Sequence, residues 1–365
     1  MTAPRQRRDP LAWTARRRLD GMLLGRARLT TPAGVVEHLT AVQAQDHRYA
    51  RWSVAQRTRV PSAVAVDAAF DEGRILRTHV LRPTWHYVAP ADLGWLMRLS
   101  GPRVQRTNAP KYRQLGLDAR VLDRGTELIV AAVADGPRTR QELTAVLERA
   151  RITTAAERGT YLLMHAELSA AICSGPMRGR QHSYVAFEHR VPDLPVLDRD
   201  EALAELAWRY FSTRGPATVE DLAWWSGLTI QDARRGLEAV RHRLETVTVE
   251  DRTHWLAGRA RPRSPEQQLD LIACYDEIIV SYRQPRNALR HPAAAIVPLQ
   301  ARDGYRHDIL LDGRLAGHWR PAPGADGLPA ETRTTQPVDR TALDHAVGRF
   351  GRFTLGPRRA TATDG

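Results

Sequence analysis

The sequence contains very little cysteine and lysine, and no long apolar run. Cys173 and Cys274 are its only cysteines and lie far apart, which excludes a disulfide framework and a cysteine metal site. No apolar segment approaches the roughly 20 residues that a membrane helix needs. The first residues, MTAPRQRRDP, are basic but have no apolar core behind them, so they do not resemble a secretory signal. We therefore expect a cytoplasmic protein with no membrane partner.

Signatures of nucleotide and metal chemistry are missing as well. The sequence has no glycine-rich phosphate loop, Walker sequence or serine nucleophile elbow, so ATP- or NAD-dependent chemistry has no support. His165-Ala-Glu167 has the His-x-Glu spacing of zinc deaminases, but no Cys-x-x-Cys follows it. The motif falls inside a predicted helix and is interpreted as structural. We expect no metal, nucleotide or other cofactor.

Positive charge is in large excess. The 365 residues include 54 lysines and arginines against 41 acids, which gives a net charge of +13 and a pI of about 10.6. Only Lys111 is lysine. GC-rich coding explains the preference for arginine, but it does not explain the excess of base over acid. Such a surplus on a chain of this length indicates a protein of several domains that binds a polyanion, most often nucleic acid.

An internal repeat defines the architecture. GPRTRQEL (136–143) and GPATVEDL (215–222) both read Gly-Pro-x-Thr-x-x-acid-Leu. Gly-Pro ends one helix, the threonine caps the next, and the acid at its third position completes a capping box. An apolar helix precedes each copy, a third helix follows it, and then SYVAFEHR or ETVTVEDRTHWLAG reads as a hairpin. Three helices followed by a hairpin predict a winged helix.

The rest of the chain is predicted with less repetition. A weaker N-terminal copy combines RRRLDGMLLG, PAGVVEHLTAVQAQD and RWSVAQRT with a hairpin, ILRTHVLRPTWHYVAP, that turns at Arg82-Pro83. Beyond Arg261, LDLIACYDEIIVSYR, AAAIVPLQ and YRHDILLDGRLAGHWR predict short strands of a barrel or sandwich, and the last ten residues are expected to be disordered. The prediction is an α+β protein with three winged helices, at residues 1–120, 121–197 and 198–260, and a small β-barrel-like domain with a tail at 261–365.

The segment AVQAQD (41–46) raises a question of local geometry. If one helix ran from Val35 to Gln45, Gln43 and Gln45 would lie roughly 200° apart and could not share a target. If the helix ended near Val42, an extended segment would follow and both amides could reach one cleft. A third interpretation leaves the glutamines as polar residues that cap the carbonyls of the helix end.

Two aromatic groups have both structural and functional interpretations. Trp224-Trp225 on a predicted helix is read as core in preference to a base-stacking platform. In Trp85-His86-Tyr87, strand alternation places the two larger rings on one face and His86 on the other. Core packing is the favoured role of those rings. His86 fits equally well a structural hydrogen bond or a position in a cleft.

A family resemblance adds to these patterns. QAQD, RWSVAQRT, RILRTHVLRPTWHYVAP, SGP, GPATVEDLAWWSGLT and CYDEIIVSY together resemble the AlkZ-like winged-helix DNA glycosylases, over about Leu11 to Trp319. The resemblance implies three tandem winged helices, a C-terminal β-barrel and a concave basic surface for duplex DNA. The family's catalytic signature is Gln, an apolar residue, then Gln or Asp. Gln43-Ala44-Gln45 matches the Gln-Gln type, which is associated with antibiotic self-resistance.

The resemblance implies a monofunctional glycosylase that excises bulky N7-alkylguanine adducts from duplex DNA, with interstrand crosslinks as a possible further substrate. We expect a monomer associated with the nucleoid. Gln43 and Gln45 are the predicted catalytic residues, with Asp46 and His86 as further candidates. The predicted DNA contacts are basic or aromatic side chains near the motif and on the third repeat: Arg48, Arg51, Trp52, Arg82, Lys111, Arg234, Arg235 and Arg241.

A second function class stays open at this point. Winged helices serve most often in non-catalytic DNA-binding proteins and transcriptional regulators. A regulator would more often be a dimer that reads two half-sites through base-contacting side chains of its recognition helix. The basic segment TIQDARRGLEAVRHRL suits either role. The three modules and the Gln-x-Gln signature favour the glycosylase.

Overall fold

The structure of the protein, a computed structural model, describes residues 9–24, 29–194, 196–258, 267–283, 307–322 and 329–355. The N-terminal part begins with helix α1, where the Asp9 carboxylate accepts a hydrogen bond from the Ala12 amide and Pro10 occupies the first turn. Its elements are α1 (Pro10–Gly21), α2 (Pro32–Leu39), β1 (Ala41–Gln43), α3 (His47–Ala55), α4 (Ala63–Asp71), β2 (Leu76–His79) and β3 (Trp85–Val88). The three strands form an antiparallel sheet in the order β1-β3-β2.

The end of α2 decides between the interpretations of the glutamine segment. Helix α2 stops at Leu39 because Thr40 adopts a φ of +66°, and the chain then continues as a strand. The interpretation as one helix from Val35 to Gln45 is therefore wrong. The extended alternative agrees with the structure, although the helix ends three residues before the expected Val42.

The middle of the chain contains two further helical units. The long helix α5 (Pro90–Gln114) leads into the first, which comprises α6 (Ala119–Val133), β4 (Arg138–Thr139), α7 (Arg140–Arg149), α8 (Arg158–Leu168), β5 (Ile172–Ser174) and β6 (Ser183–Ala186). After a 3-10 turn at Phe187–His189, the second comprises α9 (Arg199–Arg214), α10 (Val219–Ser226), α11 (Ile230–Val240), a 3-10 turn at Arg241–Arg243, β7 (Glu245–Val249) and β8 (Arg252–Leu256). Each unit ends in an antiparallel hairpin, β5-β6 or β7-β8. The hairpin predicted within ETVTVEDRTHWLAG is confirmed, but SYVAFEHR supplies only β6 and the 3-10 turn, because the partner strand β5 lies upstream of it.

The predicted capping of the repeats is confirmed. The Thr139 hydroxyl accepts from the Glu142 amide and the Glu142 carboxylate accepts from the Thr139 amide, which is a complete capping box at the start of α7. Thr218 and Asp221 form the same box at α10. The repeated sequence therefore fixes the start of the equivalent helix in each unit.

The C-terminal part differs from the predicted barrel. Its elements are β9 (Leu269–Ile272), α12 (Glu277–Val280), β10 (His307–Leu311), β11 (Arg314–Pro321), β12 (Ala330–Thr334) and α13 (Arg340–Leu355). In the described residues the strands form an open four-stranded antiparallel sheet, β12-β11-β10-β9, covered by α13, and no barrel closes. The predicted turn at Asp312-Gly313 is confirmed, with positive φ at both residues. The segment AAAIVPLQ and the last ten residues lie outside the described residues.

Packing between distant parts of the chain places helix α1 beside α9. The buried Arg18 side chain of α1 donates from Nε to the Pro216 carbonyl at 3.0 Å. A separate hydrophobic cluster lies within residues 112–186. Among the described residues, no helix is both long and apolar enough to cross a membrane.

Candidate active site

Gln43 ends strand β1, and its side chain is largely buried. Arg82, in the loop between β2 and β3, donates from Nη2 to the Gln43 Oε1 atom at 3.3 Å. A guanidinium can only donate, so this contact orients the carboxamide with its oxygen toward Arg82. The Gln43 NH₂ group is therefore the end that remains for another acceptor.

His86 lies directly opposite Gln43 on β3. The Ala44 amide donates to the Trp85 carbonyl at 2.7 Å, so the neighbouring pair Gln43 and His86 is of the type that is not hydrogen-bonded to each other. Side chains of such a pair share one face and lie close together, about 5 Å apart at their Cβ atoms. The imidazole and the Gln43 carboxamide are thus neighbours on one face of the sheet.

His86 is fully buried and uncharged. Its Nδ1 lies 3.0 Å from the Thr84 carbonyl, so Nδ1 carries the hydrogen and Nε2 presents a lone pair. Burial first, and the nearby Arg82 charge second, lower the pKa of His86 to about 3. The Nε2 atom is buried and has no hydrogen-bond partner among the described residues. A neutral acceptor therefore lies beside Gln43.

Gln45 follows on the loop from β1 to α3, and its side chain is exposed. Arg77 fixes the backbone here: its Nε donates to the Ala44 carbonyl at 3.0 Å and its Nη2 to the Gln45 carbonyl at 3.4 Å. The Arg77 guanidinium also lies over the Trp85 ring, 4.4 Å from its centre. The two amides therefore flank the buried Ala44, one inside the fold and one at its surface.

Asp46 has a structural role at the start of α3. It is the N-cap of α3, and its Oδ1 accepts from the Arg48 amide at 2.9 Å. The same carboxylate pairs with the Arg48 guanidinium at 3.2 Å. Both contacts compete with the predicted role as a base or a stabiliser of cationic charge.

Two buried residues at this site were missed by the sequence reasoning. The Glu277 carboxylate, at the start of α12, accepts from the Gln43 amide at 2.8 Å and from the Arg214 guanidinium at 2.7 Å. Although burial raises its pKa, the Arg214 charge and these hydrogen bonds hold the pKa of Glu277 down to about 2. The signal in the sequence was the pair Asp276-Glu277 inside the apolar segment CYDEIIVSY. Two adjacent acids in such a segment are rarely buried without partners.

The aromatic predictions had mixed outcomes. Trp225 is fully buried, as expected, and donates from Nε1 to Glu277 at 2.9 Å. Trp224 was also read as core, but it is 52% exposed. Trp52 was predicted to contact DNA; it is buried, donates to the Leu271 carbonyl at 2.8 Å and packs against the rings of Phe350 and Phe353. Trp52 is therefore a core residue, and the predicted DNA contact is corrected.

The basic residues predicted to contact DNA fall into two groups. Four have exposed side chains: Arg48, Arg234, Arg235 and Arg241. The others are partly enclosed: Arg51 pairs with Asp67 at 2.5 Å, Lys111 pairs with Glu157, and Arg82 binds Gln43. Lys111 lies in the last turn of α5. This helix contains Pro102 and Pro110, and the polar sequence around Lys111 did not predict a helix.

The His-x-Glu motif on α8 is structural, as interpreted. The buried Glu167 carboxylate pairs with His79 Nδ1 at 2.5 Å, and His165 Nδ1 lies 3.1 Å from the Gln105 side-chain oxygen. Within the described residues, no three His, Cys, Asp or Glu side chains come together as metal ligands.

Comparison with known proteins defines the class of this chain. The family model described as "DNA glycosylase AlkZ-like" matches residues 36–353. The chain belongs to the AlkZ-like family of DNA glycosylases, and the enzyme class predicted from the sequence is confirmed.

One sequence and one solved structure, both from Streptomyces sahachiroi, are similar to the chain. One is named "Interstrand DNA cross-link repair glycosylase" and is 25% identical over 358 residues, which cover 89% of this chain and 92% of that protein. The other is the solved structure of S. sahachiroi DNA glycosylase AlkZ. It has a TM-score of 0.72 and 20% identity, over 95% of this chain and 97% of that one. This structural likeness confirms the mixed α+β fold.

Proposed function

We propose that this DNA glycosylase is monofunctional, that it excises bulky N7-alkylguanine adducts from duplex DNA, and that it confers resistance to a DNA-alkylating natural product. The S. sahachiroi relative is named an interstrand DNA cross-link repair glycosylase, which supports a bulky substrate with crosslinks included. One observation carries the proposal: two neutral amides, Gln43 at the end of strand β1 and Gln45 on the loop that follows it, flank Ala44, and the first is held by Arg82 beside the neutral His86.

Neutral groups suit this chemistry. Alkylation of guanine N7 places a positive charge on the base, so the base leaves readily and needs little help from a general acid. The enzyme has to hold a water beneath C1′ and tolerate an oxocarbenium-like state. With its oxygen on Arg82, Gln43 offers N–H donors to that water, and Gln45 offers both a donor and an acceptor. The two amides position the nucleophile without titrating.

His86 takes the role of a hydrogen-bond acceptor. Its lone pair at Nε2 faces the same side of the sheet as Gln43, and its low pKa keeps it uncharged at neutral pH. A neutral acceptor can receive a hydrogen bond from a water that Gln43 holds. It adds no positive charge next to a substrate that is already cationic. Asp46 contributes indirectly, by capping the helix that follows the motif.

The same proposal covers the architecture. The order of three helices and a hairpin, together with the two capping boxes, supports three tandem winged helices at residues 1–120, 121–197 and 198–260, followed by a C-terminal β domain. The exposed arginines Arg48, Arg234, Arg235 and Arg241 are proposed to bind backbone phosphates of duplex DNA. Because a bulky adduct hinders complete base flipping, an open cleft suits the substrate better than a closed pocket. A monomer suffices for this mechanism.

A defined substrate tests the proposal. The protein is incubated with a duplex that carries one N7-alkylguanine, and with the same duplex undamaged as the control. We expect the modified base to be released and the damaged strand to break only after alkali, because the product is an abasic site. A second duplex with a single interstrand crosslink tests unhooking, which would separate the strands on a denaturing gel. If neither damaged duplex loses a base, the proposed substrate class is wrong.

A further inference from the structure

We propose that Glu277 is a positioning residue for the reaction. Together with Arg214 it hydrogen-bonds to the outer edge of β1 and so determines the position of Gln43. This inference rests on the proposed function, since it assumes that Gln43 acts at the lesion. Glu277 itself does not touch the substrate. It acts through the backbone of the strand that carries the motif.

Strand β1 is an edge strand of only three residues. In the order β1-β3-β2, its inner side pairs with β3, and no described strand neighbours its outer side. An edge strand leaves every second N–H and C=O group without a partner, and a buried one has to satisfy these groups in another way. Here the Glu277 Oε1 atom accepts from the Gln43 amide at 2.8 Å, and Arg214 Nη2 donates to the Ala41 carbonyl at 3.1 Å. The ion pair thus takes the place of a neighbouring strand.

The second carboxylate oxygen of Glu277 is fully engaged. It accepts from Arg214 Nη2 at 2.7 Å, from Trp225 Nε1 at 2.9 Å and from the Ser281 hydroxyl at 2.8 Å. Arg214 also donates from Nε to Ser281 at 2.9 Å, and both charged side chains are fully buried. Side chains held at every polar atom cannot shift independently, so the position of β1 is tied to helices α9, α10 and α12.

The arrangement predicts a specific failure in Glu277→Gln. Arg214 and Trp225 are donors only, so the amide oxygen of the new side chain would turn toward them. Its NH₂ group would then face the Gln43 amide, a donor against a donor. The hydrogen bond that holds Gln43 would be lost, and β1 would move away from its place. Displacement of a reactive group by about 1 Å can lower a rate by about 100-fold.

A second buried ion pair provides a matched control. Asp276, the neighbour of Glu277, pairs with Arg57 through two hydrogen bonds of 2.7 and 2.8 Å, and both side chains are fully buried. Within the described residues, the other hydrogen bonds of this pair go to Met22, Ser53, Gln56 and the start of α12, not to β1. Asp276→Asn removes one buried charge, as Glu277→Gln does, while asparagine still caps α12.

The experiment compares the full-length protein with Glu277→Gln and Asp276→Asn. Single-turnover release of an N7-alkylguanine should fall about 10- to 100-fold in Glu277→Gln and stay within about twofold in Asp276→Asn, with the Kd for the damaged duplex unchanged within about twofold in both. Hydrogen exchange of the peptide that contains residues 41–45, without DNA, should accelerate only in Glu277→Gln.

The outcomes separate the two proposals. Glu277→Gln with the wild-type rate and wild-type exchange, or with losses equal to those of Asp276→Asn, overturns the positioning role. If the wild-type protein releases no base, the proposed substrate is wrong. The hydrogen-exchange measurement still tests whether Glu277 holds β1 in position. If Glu277→Gln does not fold, Arg214→Lys takes its place, since a single ammonium cannot reproduce the guanidinium fork that binds Ser281 through Nε and Thr213 through Nη1 while Nη2 holds Ala41 and Glu277; the expected loss of rate is then about 3- to 10-fold.

Discussion

Gln43 and Gln45 differ at the scale of single residues in what holds them, and both should be needed for catalysis. Gln43 is buried against Arg82, whereas Gln45 is exposed on a loop. The Arg77 side chain holds that loop by a hydrogen bond to the Gln45 carbonyl. Neither amide carries a charge that would attract phosphate. We expect Gln45→Ala to lower single-turnover excision roughly 100-fold, with Gln43→Ala similar or somewhat milder, because each removes a contact that positions the water.

The control for this prediction is Gln141→Ala, which truncates an exposed glutamine on α7 and should leave excision unchanged. DNA affinity, measured by fluorescence anisotropy, should stay within about twofold in all three variants. Full activity in the double variant Gln43→Ala/Gln45→Ala would move the chemistry to other residues, with Asp46 and His86 the first to examine.

Lys111 bears on the type of glycosylase. Enzymes that cleave the strand form a Schiff base, which requires an unprotonated amine. The Lys111 ammonium pairs with Glu157 on the surface of α5, and the hydrogen bond to this carboxylate raises the pKa of Lys111. We therefore expect Lys111→Ala to excise the base at the wild-type rate. Treatment of the wild-type protein and DNA with borohydride should trap no covalent adduct; an adduct that disappears in Lys111→Ala would contradict the water mechanism.

His86 makes stability depend on pH. Its folded pKa of about 3 lies below the ordinary value of 6.5, because burial disfavours the charged imidazole. Between these values the unfolded chain binds a proton that the folded chain does not. The contribution of His86 is therefore fully present above about pH 6.5 and is lost as the pH falls toward 3. At pH 5 the free energy of unfolding should be lower by roughly 2 kcal/mol from this residue alone.

Urea denaturation at pH 7.5 and pH 5 measures this effect. His86→Gln cannot titrate, so its loss of stability between the two pH values should be smaller than that of the wild type by roughly the same 2 kcal/mol. Equal losses in both proteins would mean that His86 takes up a proton as readily in the folded state as in the unfolded chain, and that burial does not lower its pKa.

At the scale of elements, the repeated capping boxes should contribute to stability. In Thr139→Ala the amides at the start of α7 lose their side-chain acceptor, and we expect the free energy of unfolding to fall by about 1 kcal/mol. Thr139→Ser keeps the hydroxyl and should retain most of the wild-type stability. If both variants lost the same amount in urea denaturation, the contribution of Thr139 would come from its methyl group and not from the cap.

The same boxes explain which elements could be predicted. Capping residues, Gly-Pro stops and the Asp312-Gly313 turn act over a few neighbouring residues, so the sequence alone reveals them. Strand β1 and helix α12 depend on distant contacts: β1 pairs with β3 and is held by Arg214, and the apolar CYDEIIVSY segment becomes helical after Asp276 caps it. An apolar run of this length fits a strand or a short helix equally well.

In the site, too, local features could be predicted from the sequence and features that depend on distant contacts could not. The Gln-x-Gln pair stands out as a short motif. Its supports, Arg82, Glu277 and Arg214, come from parts of the chain that meet only in the fold. Trp52 shows the opposite error: its position next to basic residues suggested DNA, but the C-terminal helix α13 covers it. Neighbours in the sequence do not reveal such a cover.

At the scale of the whole molecule, the net charge of +13 predicts that DNA binding is electrostatic and depends on salt. If the four exposed arginines proposed above each neutralise one phosphate, affinity for undamaged duplex should fall roughly 100-fold between 50 and 200 mM salt, with little dependence on sequence. Arg234→Gln on α11 should make the slope of log Kd against log salt shallower by about one, because one phosphate contact is lost. Arg124→Gln on α6, an exposed arginine paired with Glu127, is the control and should leave the slope unchanged. Tight binding to one palindrome that hardly responds to salt would instead indicate direct base readout, as in a regulator, and would contradict a surface built to bind any duplex that carries a lesion.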